Sequence, residues 1–268
     1  HFSIIVNNNI QRFAVIGDHG LVHANTAAVA AMINAKSPDA IISTGDVDYS
    51  TPHDYALNVG TYYLQWVLDR KFFPVLGNHD LDVDDGFAYT DYFTLPNDNN
   101  ELFYSYVVGK VHLVAVCSGI NTAGTVLVPN TVTSPQAIWA RDHLLQSSYK
   151  WKFVVWHHPP YSRYAPYASG PTSGVNLRWP VKAWGAQLGL FGHVHAYERI
   201  VGPDNFYYVT VGTGGQALVS PTSTTLPSGF SQVSQQSSYG ALILDVSSSS
   251  VEATFYNTAG IALDSFTL

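Results

Sequence analysis

Short apolar runs separated by amphipathic stretches set the rhythm of the first half of the chain. Residues 13–16 (Phe-Ala-Val-Ile), Ala40–Ser43 and 73–76 (Phe-Pro-Val-Leu) read as buried strands, since each is short, apolar and bounded by polar or turn residues. Between the first two, Ala24–Lys36 has apolar residues at Ala28, Met32 and Ala35 and stops at Ser37-Pro38-Asp39, which predicts a helix. Residues 54–70 predict a second helix, with Leu57, Tyr62, Leu64, Val67 and Leu68 forming its apolar face. Strands alternating with helices of this length imply right-handed βαβ units and a parallel core.

The rhythm breaks at 80–102, a stretch rich in Asp, Asn and aromatics that reads as a long irregular excursion. Residues 102–107 and 110–116 alternate like a hairpin about Val108-Gly109. A polar loop at 118–133 precedes a helix over 134–148, with Ser134 as its cap, Pro135 in its first turn and Ile138, Trp139, Leu144 and Leu145 apolar. Residues 152–156 are the next strand, 158–180 a loop crowded with Pro, Tyr and Gly, and a helical turn leads to the apolar Leu188–Phe191. The remainder is β-rich at 206–211, 241–246, 251–256 and 261–267, interrupted by a Ser/Thr/Gln-rich loop at 215–238. The expected organisation is a lead-in over 1–11, with a turn at Asn7-Asn8-Asn9, and one α/β domain over 12–268. Two mixed β-sheets pack as a sandwich with helices outside.

Composition narrows the choices. A length of 268 residues suits one layered domain with a sizeable core. The net charge of -7, with no run of Lys or Arg, argues against a nucleic-acid surface. Cys117 is the single cysteine, so no internal disulfide forms and the redox compartment stays open. No apolar run approaches the ~18 residues of a membrane-spanning helix. The start at His1, without Met, favours a processed chain and hence export, to the outside of the cell or the periplasm. Oligomeric state is not legible.

The apolar runs share an ending. Gly17 delivers Asp18, Gly45 delivers Asp46 with Tyr49 three residues on, and Gly77 delivers Asn78 and His79. Residues 153–156 deliver His157, and Gly192 delivers His193 and His195. Sites in α/β folds lie beyond the C-terminal ends of strands. Five strand ends aiming oxygens and imidazoles at one place make a metal site. Singly, each has a plainer reading: Asp18 or Asp46 as a cap of the following helix, Tyr49 as a stacked ring, His79 as a brace for a ligand.

As an ordered set, Gly17-Asp18-His19-Gly20, Gly45-Asp46-Val47-Asp48-Tyr49, Gly77-Asn78-His79-Asp80, Val154-Val155-Trp156-His157 and Gly192-His193-Val194-His195 resembles the calcineurin-like metallophosphoesterases. Within them it is most similar to the purple acid phosphatases, the group of the tartrate-resistant acid phosphatases. The resemblance implies a four-layer α/β/β/α fold and two metal ions. The first would take Asp18, Asp46, Tyr49 and His195; the second would take Asp46, Asn78, His157 and His193. Tyr49 is the discriminating residue. Many relatives place a metal-binding His two residues after the first Asp, where Gly20 stands here, while His19 would point elsewhere. A phenolate suits Fe(III), leaving Fe(II), Zn or Mn for the second position.

The resemblance further implies hydrolysis of phosphate monoesters, on a small phosphorylated substrate, by attack of a metal-bound hydroxide. His79 would touch the phosphate and protonate the leaving oxygen. Plant and mammalian members carry another His nine or ten residues after the one matching His157, where this chain has Pro166 and Tyr167. The acid therefore stays open among His79, His158, Tyr161, Arg163 and Tyr167, with Asn78, His79, His158, Tyr161 and Tyr167 as substrate contacts. Asp48 and Asp80 are expected to orient neighbours, His112 to be a core histidine, and Gly212, Gly214 and Gly215 to approach a phosphate or form a turn. A phosphodiesterase, or a metal-binding scaffold without activity, are the alternatives.

Overall fold

The computed structural model describes residues 3–4, 10–96, 101–164, 167, 174–220 and 224–268. The expected turn at Asn7-Asn8-Asn9 and Pro166 lie outside the described residues. In the first half, β1 (Ser3–Ile4), β2 (Gln11–Ile16), α1 (Ala24–Lys36), β3 (Ala40–Ser43), α2 (Tyr55–Asn58), α3 (Gly60–Leu68), β4 (Phe72–Pro74) and α4 (Phe87–Tyr92) follow in order. Then come β5 (Tyr104–Val108), β6 (Val111–Ala115), α5 (Pro135–Gln146), β7 (Trp151–Val155), β8 (Leu188–Phe191), β9 (Tyr197–Val201) and β10 (Tyr207–Val211). The chain closes with β11 (Ser231–Gln236), β12 (Gly240–Val246), β13 (Val251–Asn257) and β14 (Ala262–Thr267).

These strands build two mixed sheets. One is ordered β1-β5-β6-β7-β8-β10-β9-β11, the other β14-β13-β12-β2-β3-β4. β2, β3 and β4 are parallel neighbours, as are β6, β7 and β8, with β10 parallel to β8. Period-two alternation divides the burial. In β7, Trp151, Phe153 and Val155 join the core between the sheets, while Val154 and the following Trp156 pack with Ala137, Ala140 and Leu144 of α5. Removing each such large side chain from water contributes roughly 1.5–3 kcal/mol. The sandwich with flanking helices expected from the sequence is the architecture observed. At the far edge, Arg199 of β9 forms a two-pronged ion pair with Asp264 of β14, with N–O distances of 2.7 and 2.8 Å, which ties one sheet to the other.

Three local expectations change. The helix predicted over 54–70 is broken at Val59 into α2 and α3, with Asp54 as the cap of the first. Its buried stripe is Tyr55, Val59 and Tyr63, whereas Leu57, Leu64 and Leu68 are 52%, 49% and 66% exposed. The aromatic stripe prevails because Tyr63 packs on His19 and Phe72, and Tyr55 on Tyr89 and Phe93. The excursion at 80–102 contains α4, held by the fully buried Tyr89, whose hydroxyl donates to the Pro74 carbonyl at 2.9 Å. The polar stretch at 215–238 contributes β11, and β9 follows His195 directly; neither strand was evident from the sequence.

Candidate metal centre

β2, β3, β8 and β10 end at one place, and their loops are latched backbone to backbone. The Asp18 amide donates to the Gly45 carbonyl, the Gly20 amide to Asp46, the Gly192 amide to His157 and the Gly214 amide to Gly17, at 2.9–3.1 Å. Gly77 has no room for a side chain, since a Cβ there would lie 2.0 Å from Asp46 Oδ1. Gly45, at φ 100°, adopts a backbone that disfavours any other residue. Asp18, Asp46 and His193 are themselves held in the left-handed region, at φ 57°, 54° and 67°. Non-glycine residues there carry strain and cluster at functional sites.

The side chains converge accordingly. Ligand atoms of Asp18, Asp46 and His195 lie within 4.8 Å of one another. The Tyr49 hydroxyl is 3.3 Å from Asp18 Oδ1 and 3.5 Å from His195 Nε2. His157 Nε2 stands 3.3 Å from Asp46 Oδ1 and 2.9 Å from Asn78 Oδ1. Asp46 is thus common to two groups of donors. The His193 ring meets those of His157 and His158 at centroid distances of 5.1 and 4.2 Å, and its amide donates to Asp18 Oδ2.

The donor chemistry fits a cation. His157 Nδ1 faces the Thr44 carbonyl at 2.8 Å and His195 Nδ1 the Ala217 carbonyl at 2.9 Å. A carbonyl only accepts, so each Nδ1 carries the proton and each Nε2 is left with a lone pair. Those lone pairs face carboxylate oxygens at 3.3 Å, acceptor against acceptor. A proton or a cation must stand between them. Burial pushes His157 down, but Asp46 outweighs it and lifts the ring to about 9. Burial likewise pushes Asp46 up, yet the facing His157, His79 and His193 hold it below the ordinary carboxylate range. Burial, with Asp46 and Asp18, pushes the Tyr49 hydroxyl well up, so a phenolate there needs a cation beside it.

Around this group, His79 is half-buried with its ring 4.5 Å from that of Tyr49, and its amide donates to Asp46 Oδ1 at 3.0 Å. His158 is fully buried, its Nδ1 2.7 Å from Ser118 Oγ, and burial together with His193 and His157 depresses it strongly. Tyr167 stands edge-on to His193 at 5.0 Å. Tyr161 is placed elsewhere: its ring packs on Tyr208 and Phe230, with the Arg178 guanidinium 4.9 Å from its centre. Arg163 turns to the Thr224 carbonyl. His19 points into the core, bonded to Ser43 Oγ at 2.8 Å. Asp80 accepts from the Gly77, Val47 and Asp48 amides, and Asp48 from Ser50 and Asn58, so both orient their neighbours as expected. The Gly214 loop packs on Gly17, where a Cβ would lie 2.4 Å from the carbonyl oxygen. Sequence reasoning passed over Ser118, although it follows β6 as the other polar residues follow their strands, and passed over Glu198 and Tyr164 for want of any local signal.

The sequence profile of calcineurin-like phosphoesterases matches residues 11–197. Purple acid phosphatase 15 of Arabidopsis thaliana is 27% identical over 247 residues, covering 76% of this chain and 45% of that protein. Phosphoenolpyruvate phosphatase of Allium cepa is 25% identical over 278 residues, covering 87% of this chain and 55% of that protein. The chain therefore spans about half the length of the curated relatives it matches. Purple acid phosphatase PPD1 from yellow lupin (Lupinus luteus) seeds has the same fold, with a TM-score of 0.78 at 17% identity over 96% of this chain and 53% of that one. Among the described residues, no helix is long and apolar enough to cross a membrane.

Proposed function

The chain belongs to the calcineurin-like phosphoesterase family, whose purple acid phosphatase members use a dinuclear metal site, and on that premise we propose that it hydrolyses phosphate monoesters at such a centre. One cation would be held by Asp18, Asp46, Tyr49 and His195, the other by Asp46, Asn78, His157 and His193. The observation that carries this reading is Asp46, buried and common to both donor groups. Two cations there would neutralise the carboxylates and supply the Lewis acidity that activates water and phosphate. Fe(III) beside Tyr49, with Fe(II), Zn or Mn in the second position, is part of the proposal, as is a single catalytic domain over 12–268.

This chain's own residues do the rest. In this reading Asn78 and His79 contact the phosphate, and His79, whose ring is only half-buried, gives a proton to the leaving oxygen. His158 supports the His193 ring from beneath, and Tyr167 covers it from the side. The geometry favours Tyr167 over Tyr161 as a substrate contact. Small phosphorylated acids, the kind of substrate named for the onion relative, belong to the class such a site accepts. Export stands with the same reading and is checked by cell fractionation.

The test is elemental analysis and a visible spectrum of the purified protein, followed by hydrolysis of a chromogenic phosphate monoester and its diester with and without chelator. About two metals per chain, chelator-sensitive monoester cleavage and a visible band absent from Tyr49→Phe are expected. Preference for the diester would replace the monoester reading. Absence of metal and of cleavage after reconstitution would leave a scaffold.

A further inference from the structure

Glu198, three residues beyond His195 on β9, is a fully buried carboxylate that the proposed chemistry does not use. Its hydrogen-bond donors are the Ser162 hydroxyl at 2.8 Å, the Arg163 amide at 2.9 Å and the Gln232 carboxamide at 2.7 Å. Burying a carboxylate on neutral donors is expensive unless each lone pair is used. Here burial does push the carboxyl above its usual range, although the Arg163 amide, Ser162 and Gln232 pull it back. The arrangement therefore calls for a reason beyond local packing.

What Glu198 holds supplies one. Ser162 Oγ also accepts from the Tyr164 amide at 3.0 Å, so Glu198, Ser162 and Tyr164 form a chain. Tyr164 is fully buried against Val194 and Ala196, the residues that flank His195. The Tyr167 amide then donates to the Tyr164 carbonyl at 2.9 Å, and the Tyr167 ring stands on His193. Thr224 closes the other side: its amide donates to the Arg163 carbonyl, its carbonyl accepts from the Arg163 guanidinium, and its hydroxyl donates to the Ser162 carbonyl. The strand that follows the two histidines thus holds, through one side chain, the segment whose Tyr164 packs on Val194 and Ala196 and whose Tyr167 meets His193.

We propose that Glu198 is a positioning residue that fixes Ser162, Arg163 and Tyr164 and thereby holds Tyr167 over His193 as a substrate contact. The proposal rests on the phosphatase reading, in which Tyr167 flanks the phosphate.

The test compares the full-length wild type with Glu198→Gln and Ser162→Ala. A glutamine presents an N–H₂ group where a donor already points, and alanine at 162 removes one hydroxyl. Amide hydrogen exchange should quicken at Arg163 and Tyr164 in both variants while the β-sheet cores stay protected. Metal content should be unchanged. Losing one charge-assisted hydrogen bond should raise KM for an aryl phosphate, and Kd for inorganic phosphate, roughly tenfold, with a smaller change in kcat. In a Tyr167→Ala background, adding Glu198→Gln should change KM no further, since two residues acting through one contact are not additive. Unaltered exchange in both variants, or a full additive effect, would overturn the proposal. If Glu198→Gln fails to fold, Ser162→Ala carries the test alone. A wild type that holds no metal and cleaves no ester would refute the phosphatase reading, while exchange and phosphate binding would still judge Glu198.

Discussion

The two sheets contribute to the centre in different ways. The six-stranded sheet supplies oxygen donors, Asp18, Asp46 and Asn78, on loops braced through the backbone; Asp80 alone accepts amides of Val47, Asp48 and Gly77, which flank two of those donors. The eight-stranded sheet supplies imidazoles, and His157 and His195 are braced at the ring, by the carbonyls of Thr44 and Ala217. A carboxylate has two equivalent oxygens and tolerates rotation, so placing its loop suffices. An imidazole has one useful lone pair per tautomer, so the ring itself must be aimed.

Breaking the oxygen side at its shared member should have the largest effect. Asp46→Asn is expected to abolish nearly all monoester hydrolysis and to lower metal content by elemental analysis; retention of both would sink the assignment. Asp80→Ala attacks the brace instead. Three buried amides lose their acceptor, for a cost of roughly 3–5 kcal/mol in urea unfolding, with metal lost as a consequence of loop disorder. Asp80→Asn keeps one acceptor oxygen and should lose less. If the alanine variant is as stable as wild type, the oxygen side is not braced as described. His79→Ala touches neither brace and should keep its metals while losing roughly 10²–10⁴ in rate, read by elemental analysis alongside kinetics.

The smallest effect separates site histidines from a plain buried one. His112, on the outer face of β6, is depressed to about 4 by burial, with His143 and Lys152 adding to it. Its folded value lies below the unfolded one, so between pH 6.5 and about 4 the unfolded chain binds a proton that the folded chain does not. Stability contributed by neutral His112 is complete above that window and is lost as pH falls through it. His112→Gln should therefore lessen the fall in urea midpoint between pH 7 and pH 5; an unchanged fall would assign the acid sensitivity to other groups.

Much of this was legible because local signals agreed. Ala24–Lys36 and Ala40–Ser43 have the bounds that their apolar spacing and the Ser37-Pro38 stop predict. The gathering of Asp18, Asp46, Tyr49, Asn78, His157, His193 and His195 follows from one rule, that parallel strands end together. The rest depended on choices made at a distance. Residues 54–70 contain two apolar stripes, and only the presence of His19, Phe72 and Phe93 selects the aromatic one. β11 is polar because it is an edge, so its sequence resembles a loop. Glu198 bonds partners 34 to 36 positions away, and no window on the chain contains the pattern.

The facing lone pairs of His157 and Asp46, and of His195 and Asp18, have one more consequence. Whatever occupies the gap must be positive, so the empty and loaded centres differ in which positive species they hold. Loading is then an exchange, in which entering cations expel protons: an unbuffered solution should acidify as metal is added, and mild acid should unload the centre without unfolding the chain.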